Sequence, residues 1–260
     1  MACQDEVRAA EKYFEINKSG QDIHCKLYFS SGSPIEKVVL FGHGFAGHKD
    51  NGAAHKFADR VLSEFKVTAV LIYDLPGHGD DTQKLTMGNC MAYMSIVIDY
   101  IKSELHTEQI YSYATSFGGY LILKYISEFG DPFVKIALRC PAVNMADVLT
   151  KTIMNAEELD GILKGKCVQV GFDRKIEVDR RFVAELEEAD IQTLDYSEYA
   201  HDILILHGTK DEVVPFEADK YFAKRSNIEF IPVEGADHRF QNPACMEAAT
   251  KKVIEFFGFC

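Results

Sequence analysis

A serine flanked by small residues sits where this chain could build a nucleophile. In Ile110-Tyr111-Ser112-Tyr113-Ala114-Thr115-Ser116-Phe117-Gly118-Gly119-Tyr120, a β-branched and aromatic run meets Ser116 and passes straight into an apolar helical pattern. A strand–serine–helix junction exposes the hydroxyl on a sharp, strained turn that needs small residues two positions before and after it. Gly118 meets that need, and Ala114 adds one methyl group at the earlier position. A serine N-cap followed by glycines for close packing would leave the same pattern, so the pentapeptide alone does not decide.

A nucleophilic serine requires a base and an orienting acid. Downstream, Leu204-Ile205-Leu206-His207-Gly208-Thr209-Lys210-Asp211 runs from a strand into a loop, which puts Asp211 at the carboxyl edge of a sheet. After the next apolar run come Glu234-Gly235-Ala236-Asp237-His238-Arg239-Phe240, with His238 on the same edge. Ser116, Asp211 and His238 thus follow three different strands, in the order expected of a hydrolytic triad. Asp237 and Glu212 are the alternative acids. Asp237 adjoins the histidine, where successive side chains diverge, and Glu212 points away from wherever Asp211 points, so Asp211 is preferred.

The fourth element is Val38-Val39-Leu40-Phe41-Gly42-His43-Gly44-Phe45-Ala46-Gly47-His48, a strand and a glycine-rich loop. It lacks both the Walker spacing and G-x-G-x-x-G, which argues against phosphate binding. The backbone N–H groups of Phe45 and Phe117 would instead form an oxyanion hole, with His43, Gly44 and Gly118 supporting the loop. Asp74, in Asp74-Leu75-Pro76-Gly77-His78-Gly79, reads as a structural turn acid.

These residues need a scaffold that brings strand ends together. Residues 13–16 and 24–29 flank the turn residues 17–20 as an antiparallel edge hairpin. Mostly apolar segments at 37–41, 67–73, 109–114, 134–139, 203–206 and 228–231 predict parallel strands covered on both faces. With the hairpin this makes about eight strands. Helical periodicity at 52–65, 87–105, 117–129, 217–224 and 243–257 supplies the crossovers. The expectation is an α/β fold with a mostly parallel sheet flanked by helices. Residues 141–200 exceed a single crossover and read as an inserted cap with helices near 144–155 and 179–189; residues 1–140 and 201–260 form the core. Within the cap, Met145, Leu149, Met154, Leu159, Ile162, Leu163, Phe172 and Phe182 are candidates for lining a pocket, most of them as cap core.

Composition narrows the remaining possibilities. With 28 basic and 40 acidic side chains the net charge is −12, which disfavours nucleic-acid and membrane-surface partners. No apolar run exceeds five residues, far short of a membrane span. The acidic residues near Met1 and the absence of an apolar leader predict a cytoplasmic protein. Seven scattered cysteines without a C-x-x-C pair predict reduced thiols and no metal site, and burial of Cys90 and Cys140 in the core would be unremarkable. Pattern sets no oligomeric state, and a homodimer stays open.

His43-Gly44-Phe45, Asp74-Leu75-Pro76-Gly77-His78-Gly79, Ser116-Phe117-Gly118-Gly119, His207-Gly208-Thr209-Lys210-Asp211 and Asp237-His238-Arg239-Phe240 fall in the register of the α/β-hydrolase superfamily, which the chain resembles outside the cap. Within it the chain is most similar to small bacterial carboxylesterases of the cinnamoyl or feruloyl esterase type. That resemblance implies an α/β-hydrolase fold, a serine esterase acting on a small-molecule ester through an acyl-enzyme, and no cofactor. Ala114 stands where the family elbow carries glycine. A thioesterase, acyltransferase or peptidase on the same triad, or a non-catalytic binding protein, are the alternatives.

Overall fold

The computed structural model describes residues 9–259, so Cys3, Cys260 and the acidic start of the chain lie outside the described residues. β1 (Ala9–Lys18) and β2 (Gln21–Ser30) pair antiparallel around Ser19 and Gly20, both with positive φ, as a two-residue hairpin turn requires. There follow β3 (Lys37–Gly42), α1 (Gly52–Glu64), β4 (Thr68–Tyr73), α2 (Met87–Glu104), β5 (Ile110–Thr115), α3 (Phe117–Phe129) and β6 (Lys135–Arg139).

The next stretch breaks the alternation. A short α4 (Met145–Asp147) continues as a π-helical turn over Val148–Ile153, then come α5 (Ala156–Leu163), the antiparallel pair β7 (Val168–Val170) and β8 (Ile176–Val178), and α6 (Arg180–Glu188). β9 (Ile203–Gly208), α7 (Phe216–Arg225), β10 (Glu229–Val233) and α8 (Pro243–Phe257) complete the chain.

Eight strands form one sheet in the order β1-β2-β4-β3-β5-β6-β9-β10, antiparallel through the hairpin and parallel from β4 onward. β4 and β5 are buried at every residue, as covered parallel strands should be. Alternating residues divide the core. Ile110 and Ala114 of β5 join Tyr93 of α2, Tyr120 of α3 and Phe222 of α7, whereas Tyr111 and Tyr113 join Phe57 of α1 and Phe257 of α8. Met145, Leu149 and Phe182, from the stretch between β6 and β9, pack into the first of these cores. That stretch is also tied to α2, where Glu185 accepts from the Met87 amide at 2.9 Å.

Candidate active site

β5 delivers Ser116 at the sheet's carboxyl edge, and the backbone there turns abruptly. Ser116 has φ 52° and ψ −120°, and its side chain makes no capping hydrogen bond to α3. An N-cap would be extended and would accept from the first helical turn, so Ser116 is not acting as one. The strain is held by main-chain bonds: the Ser116 amide donates to the Arg139 carbonyl at 3.0 Å, and its carbonyl accepts from Tyr120 and Ala142.

The crowding expected at this turn is visible in its neighbours. A Cβ on Gly118 would lie 2.6 Å from the His43 carbonyl oxygen, and one on Gly42 would lie 2.8 Å from the Ala114 Cβ. Gly42 pairs directly with Ala114 across the β3–β5 ladder, so the missing side chain at 42 makes room for the extra methyl at 114. Gly44 packs against the serine itself, where an added Cβ would stand 3.2 Å from the Ser116 Cβ.

Asp211 follows β9 and His238 follows β10. The His238 Nδ1 lies 2.7 Å from the Asp211 Oδ2, while the Val213 and Val214 amides each donate to the Asp211 Oδ1 at 2.8 Å. With Nδ1 donating to the carboxylate, Nε2 is the ring nitrogen left as an acceptor. The alternative acids are engaged elsewhere: Glu212 accepts from the His238 backbone amide and Asp237 from the Gln241 amide. The Ser116 hydroxyl makes no hydrogen bond to His238 in this structure. Both residues face one cavity, a looser arrangement common before substrate is bound.

Behind Asp211 lie two groups that sequence reasoning did not assign. His207, buried in β9, approaches the Asp211 Oδ2 at 3.2 Å through Nε2 and the Asp219 Oδ2 at 2.8 Å through Nδ1. Burial alone would lower the His207 pKa, but its bonds to Asp211 and Asp219 outweigh it and push it up to about 9. Burial likewise opposes ionisation of Asp211, and bonds from His207 and His238 hold it well below the usual carboxylate range. Burial raises Asp219 to about 6, against the pull of His207. A protonated His207 therefore backs an ionised Asp211. Its signal in the sequence was the i,i+4 spacing of His207 and Asp211, and Asp219 was an acid on the apolar face of α7.

The loop after β3 is fastened at both ends. His43 donates through Nδ1 to the Gly44 carbonyl at 2.9 Å and accepts from the Leu75 amide at Nε2, 3.2 Å away. Burial lowers His43 to about 4, which keeps the ring neutral for that pair of bonds. Asp74 accepts from the Lys49 amide at 2.6 Å, from the Lys49 ammonium at 3.2 Å and from the Asp80 amide at 3.0 Å. This is the structural turn expected of it. Among the described residues, the amides of Phe45 and Phe117 donate to no acceptor.

These elements border a cavity of about 400 Å³ that also takes in the amino end of α1, Arg139, Val213 and Arg239. From the 141–200 stretch, Ile153, Phe172, Asp173 and Arg174 reach it. Of the eight apolar residues named as candidate lining, most of them expected as cap core, Phe172 alone borders the cavity. Met145, Leu149, Met154, Ile162 and Phe182 are buried, Leu159 packs against the core, and Leu163 is exposed to solvent. Met145, Leu149, Met154, Ile162 and Phe182 thus pack into the first core rather than onto the cavity. Cys140, His207 and Asp211 bring possible ligand atoms within 4.8 Å of one another, but the histidine and carboxylate atoms already serve the bonds to Asp219 and His238. Cys25, Cys90, Cys140, Cys167 and Cys245 are free thiols, all of them buried except Cys167. No helix among the described residues is long and apolar enough to cross a membrane.

A family model of the alpha/beta hydrolase fold matches residues 37–166. No curated protein matches the chain in sequence. Among solved structures, Est1E from Butyrivibrio proteoclasticus with ferulic acid bound is similar at 21% identity and TM-score 0.72, over 94% of this chain and 99% of that one. The Pyrococcus furiosus esterase Pf2001 is similar at 17% identity and TM-score 0.68, over 96% and 92%. Mouse alpha/beta hydrolase domain-containing protein 10 is similar at 15% identity and TM-score 0.70, over 95% and 98%.

Proposed function

The chain belongs to the α/β-hydrolase fold family, and on that premise we propose that it hydrolyses carboxylic esters of small molecules through an acyl-enzyme on Ser116. The observation that carries this reading is the joint placement of Ser116 and His238 on one cavity, with the imidazole held by Asp211 at 2.7 Å. His238 Nε2 takes the Ser116 proton as the oxygen attacks the ester carbonyl, and Asp211 stabilises the imidazolium that forms. The unengaged amides of Phe45 and Phe117 receive the developing oxyanion. His238 then protonates the departing alcohol, activates a water, and the acid leaves. His43, Gly44 and Gly118 keep the oxyanion loop in place, and His207 with Asp219 keeps Asp211 ionised. Residues 141–200 act as the cap over a core made of 1–140 and 201–260.

Hydrolysis of p-nitrophenyl esters from acetate to octanoate by the wild type and by Ser116→Ala tests this. The variant should lose about 10⁶-fold in turnover if the triad acts as a unit. Equal activity in the two proteins, or none in either, ends the esterase reading. A matched thioester and amide series then fixes the leaving group.

A further inference from the structure

The cavity carries a charge that ester hydrolysis does not use. Arg139 closes β6 beside the nucleophile, its carbonyl accepting from the Ser116 amide, and the residue borders the cavity although it is only 6% exposed. A buried guanidinium is costly unless something anionic compensates it. Among the described residues no carboxylate lies within 4.0 Å of Arg139, and its Nε is buried with no hydrogen-bond partner. Its neighbours are neutral. The guanidinium lies 5.0 Å from the Phe240 ring centre, and Nη1 is 3.1 Å from the Met246 sulfur. Asp211, which follows the adjoining strand, is committed to two histidines and two amides.

A second feature on the same cavity has the same sign. The amino end of α1 borders it through Gly52 and Ala53, and the first turn of that 13-residue helix contains no acid. The Asn51 side chain caps only the Ala54 amide. The macrodipole and free amides of such an end favour an anion. Nearer the mouth, Arg174 and Arg239 border the cavity with a single carboxylate, Asp173, which pairs with Arg239 at 2.6 Å. The cavity is thus cationic in a chain of net charge −12.

The geometry points to an anion subsite built on Arg139 and the amino end of α1. The substrate is then an ester that carries a carboxylate or phosphate group away from its scissile carbonyl. This inference rests on the esterase reading for its location, but its test does not require turnover. Ser116→Ala protein is titrated calorimetrically with monomethyl adipate, hexyl phosphate and the neutral control dimethyl adipate.

At least one anion should bind about tenfold or more tightly than dimethyl adipate, and its affinity should fall with added salt. Which anion gains identifies the carboxylate or the phosphate as the recognised group. Arg139→Met in the same background should reduce the advantage to less than about threefold. Arg139→Lys keeps the charge without the planar fork and should retain only part of it. Thermal unfolding checks both variants, and if the Met variant does not fold, the Lys variant decides by losing or keeping the full advantage. Anions that bind no better than dimethyl adipate, or an advantage that survives at Arg139→Met or in full at Arg139→Lys, overturn the subsite. In the wild type, the ratio of kcat/KM for the p-nitrophenyl monoester of adipic acid to that for p-nitrophenyl hexanoate should fall by about tenfold in Arg139→Met.

Discussion

Two regions meet at the cavity and hold their residues by different means. The strand-end loops fix Ser116, Asp211 and His43 through main-chain hydrogen bonds and through glycines that admit no side chain. The stretch between β6 and β9 anchors itself by burying Met145, Leu149 and Phe182, then sends Phe172, Asp173 and Arg174 to the cavity from a loop between its two short strands. Phe172 is 51% exposed, and the Asp173–Arg239 pair lies in solvent, where ion pairs contribute little. On the proposed mechanism the first region sets what reaction is possible, and its packing tolerates little displacement. On the same proposal the second shapes what enters and can be altered at small cost.

Substitutions can test that division, beginning with the severest. Ser116→Ala, above, removes the reaction. Gly118→Ala comes next, because its Cβ would meet the His43 carbonyl at 2.6 Å and main-chain atoms cannot swing aside. It should cost about 1–3 kcal/mol of stability, measured by urea unfolding. A displaced nucleophile should also lower kcat by about 10²-fold. A Gly118→Ala enzyme with near wild-type kcat would mean that the elbow is not as tightly held as its contacts imply.

Changes behind the triad should have intermediate effects. On the proposed mechanism His207→Gln removes the cation that favours the ionised Asp211, so kcat should fall by about tenfold and its acid limb should move to higher pH. The same residue affects stability. The folded pKa of His207, about 9, lies above its ordinary 6.5, so its contribution is fully present below about pH 6.5 and is lost as pH rises through about 9. Denaturant midpoints of the wild type should therefore decline across that window, and those of His207→Gln should be flatter. Phe172→Ala should have the smallest effect, altering kcat/KM by less than about tenfold, mainly through KM. A larger loss in kcat would bring the loop between β7 and β8 into the chemistry.

The same two regions differ in how much of them was legible in the sequence. Mostly apolar segments identified the parallel strands, and the change from strand to helix periodicity at Ser116 marked the turn from β5 into α3. Order along the chain brought out Asp211 and His238, with Asp211 already preferred over Glu212 and Asp237, and the His238 ring pairs with Asp211. In the 141–200 stretch, β7 and β8 have three residues each, too few for alternation to show. α5 went unread although Asn155 and Glu158 form a capping box at its start. His207, Asp219 and Arg139 escaped for a shared reason. Each looks like a lone polar residue in an apolar segment, and its role depends on what another element places against it.

The contact between Gly42 and Ala114 also constrains how this site can change. With alanine at 114, position 42 cannot accept a side chain, because a Cβ there would lie 2.8 Å from the one already present. Replacing Ala114 by glycine would lift that restriction, so the two positions can drift only in one order, Ala114→Gly before Gly42→Ala. The effect of either substitution therefore depends on the state of the other, and their energies should not add. A neutral-looking methyl group in one strand thus determines which histories are open to its neighbour.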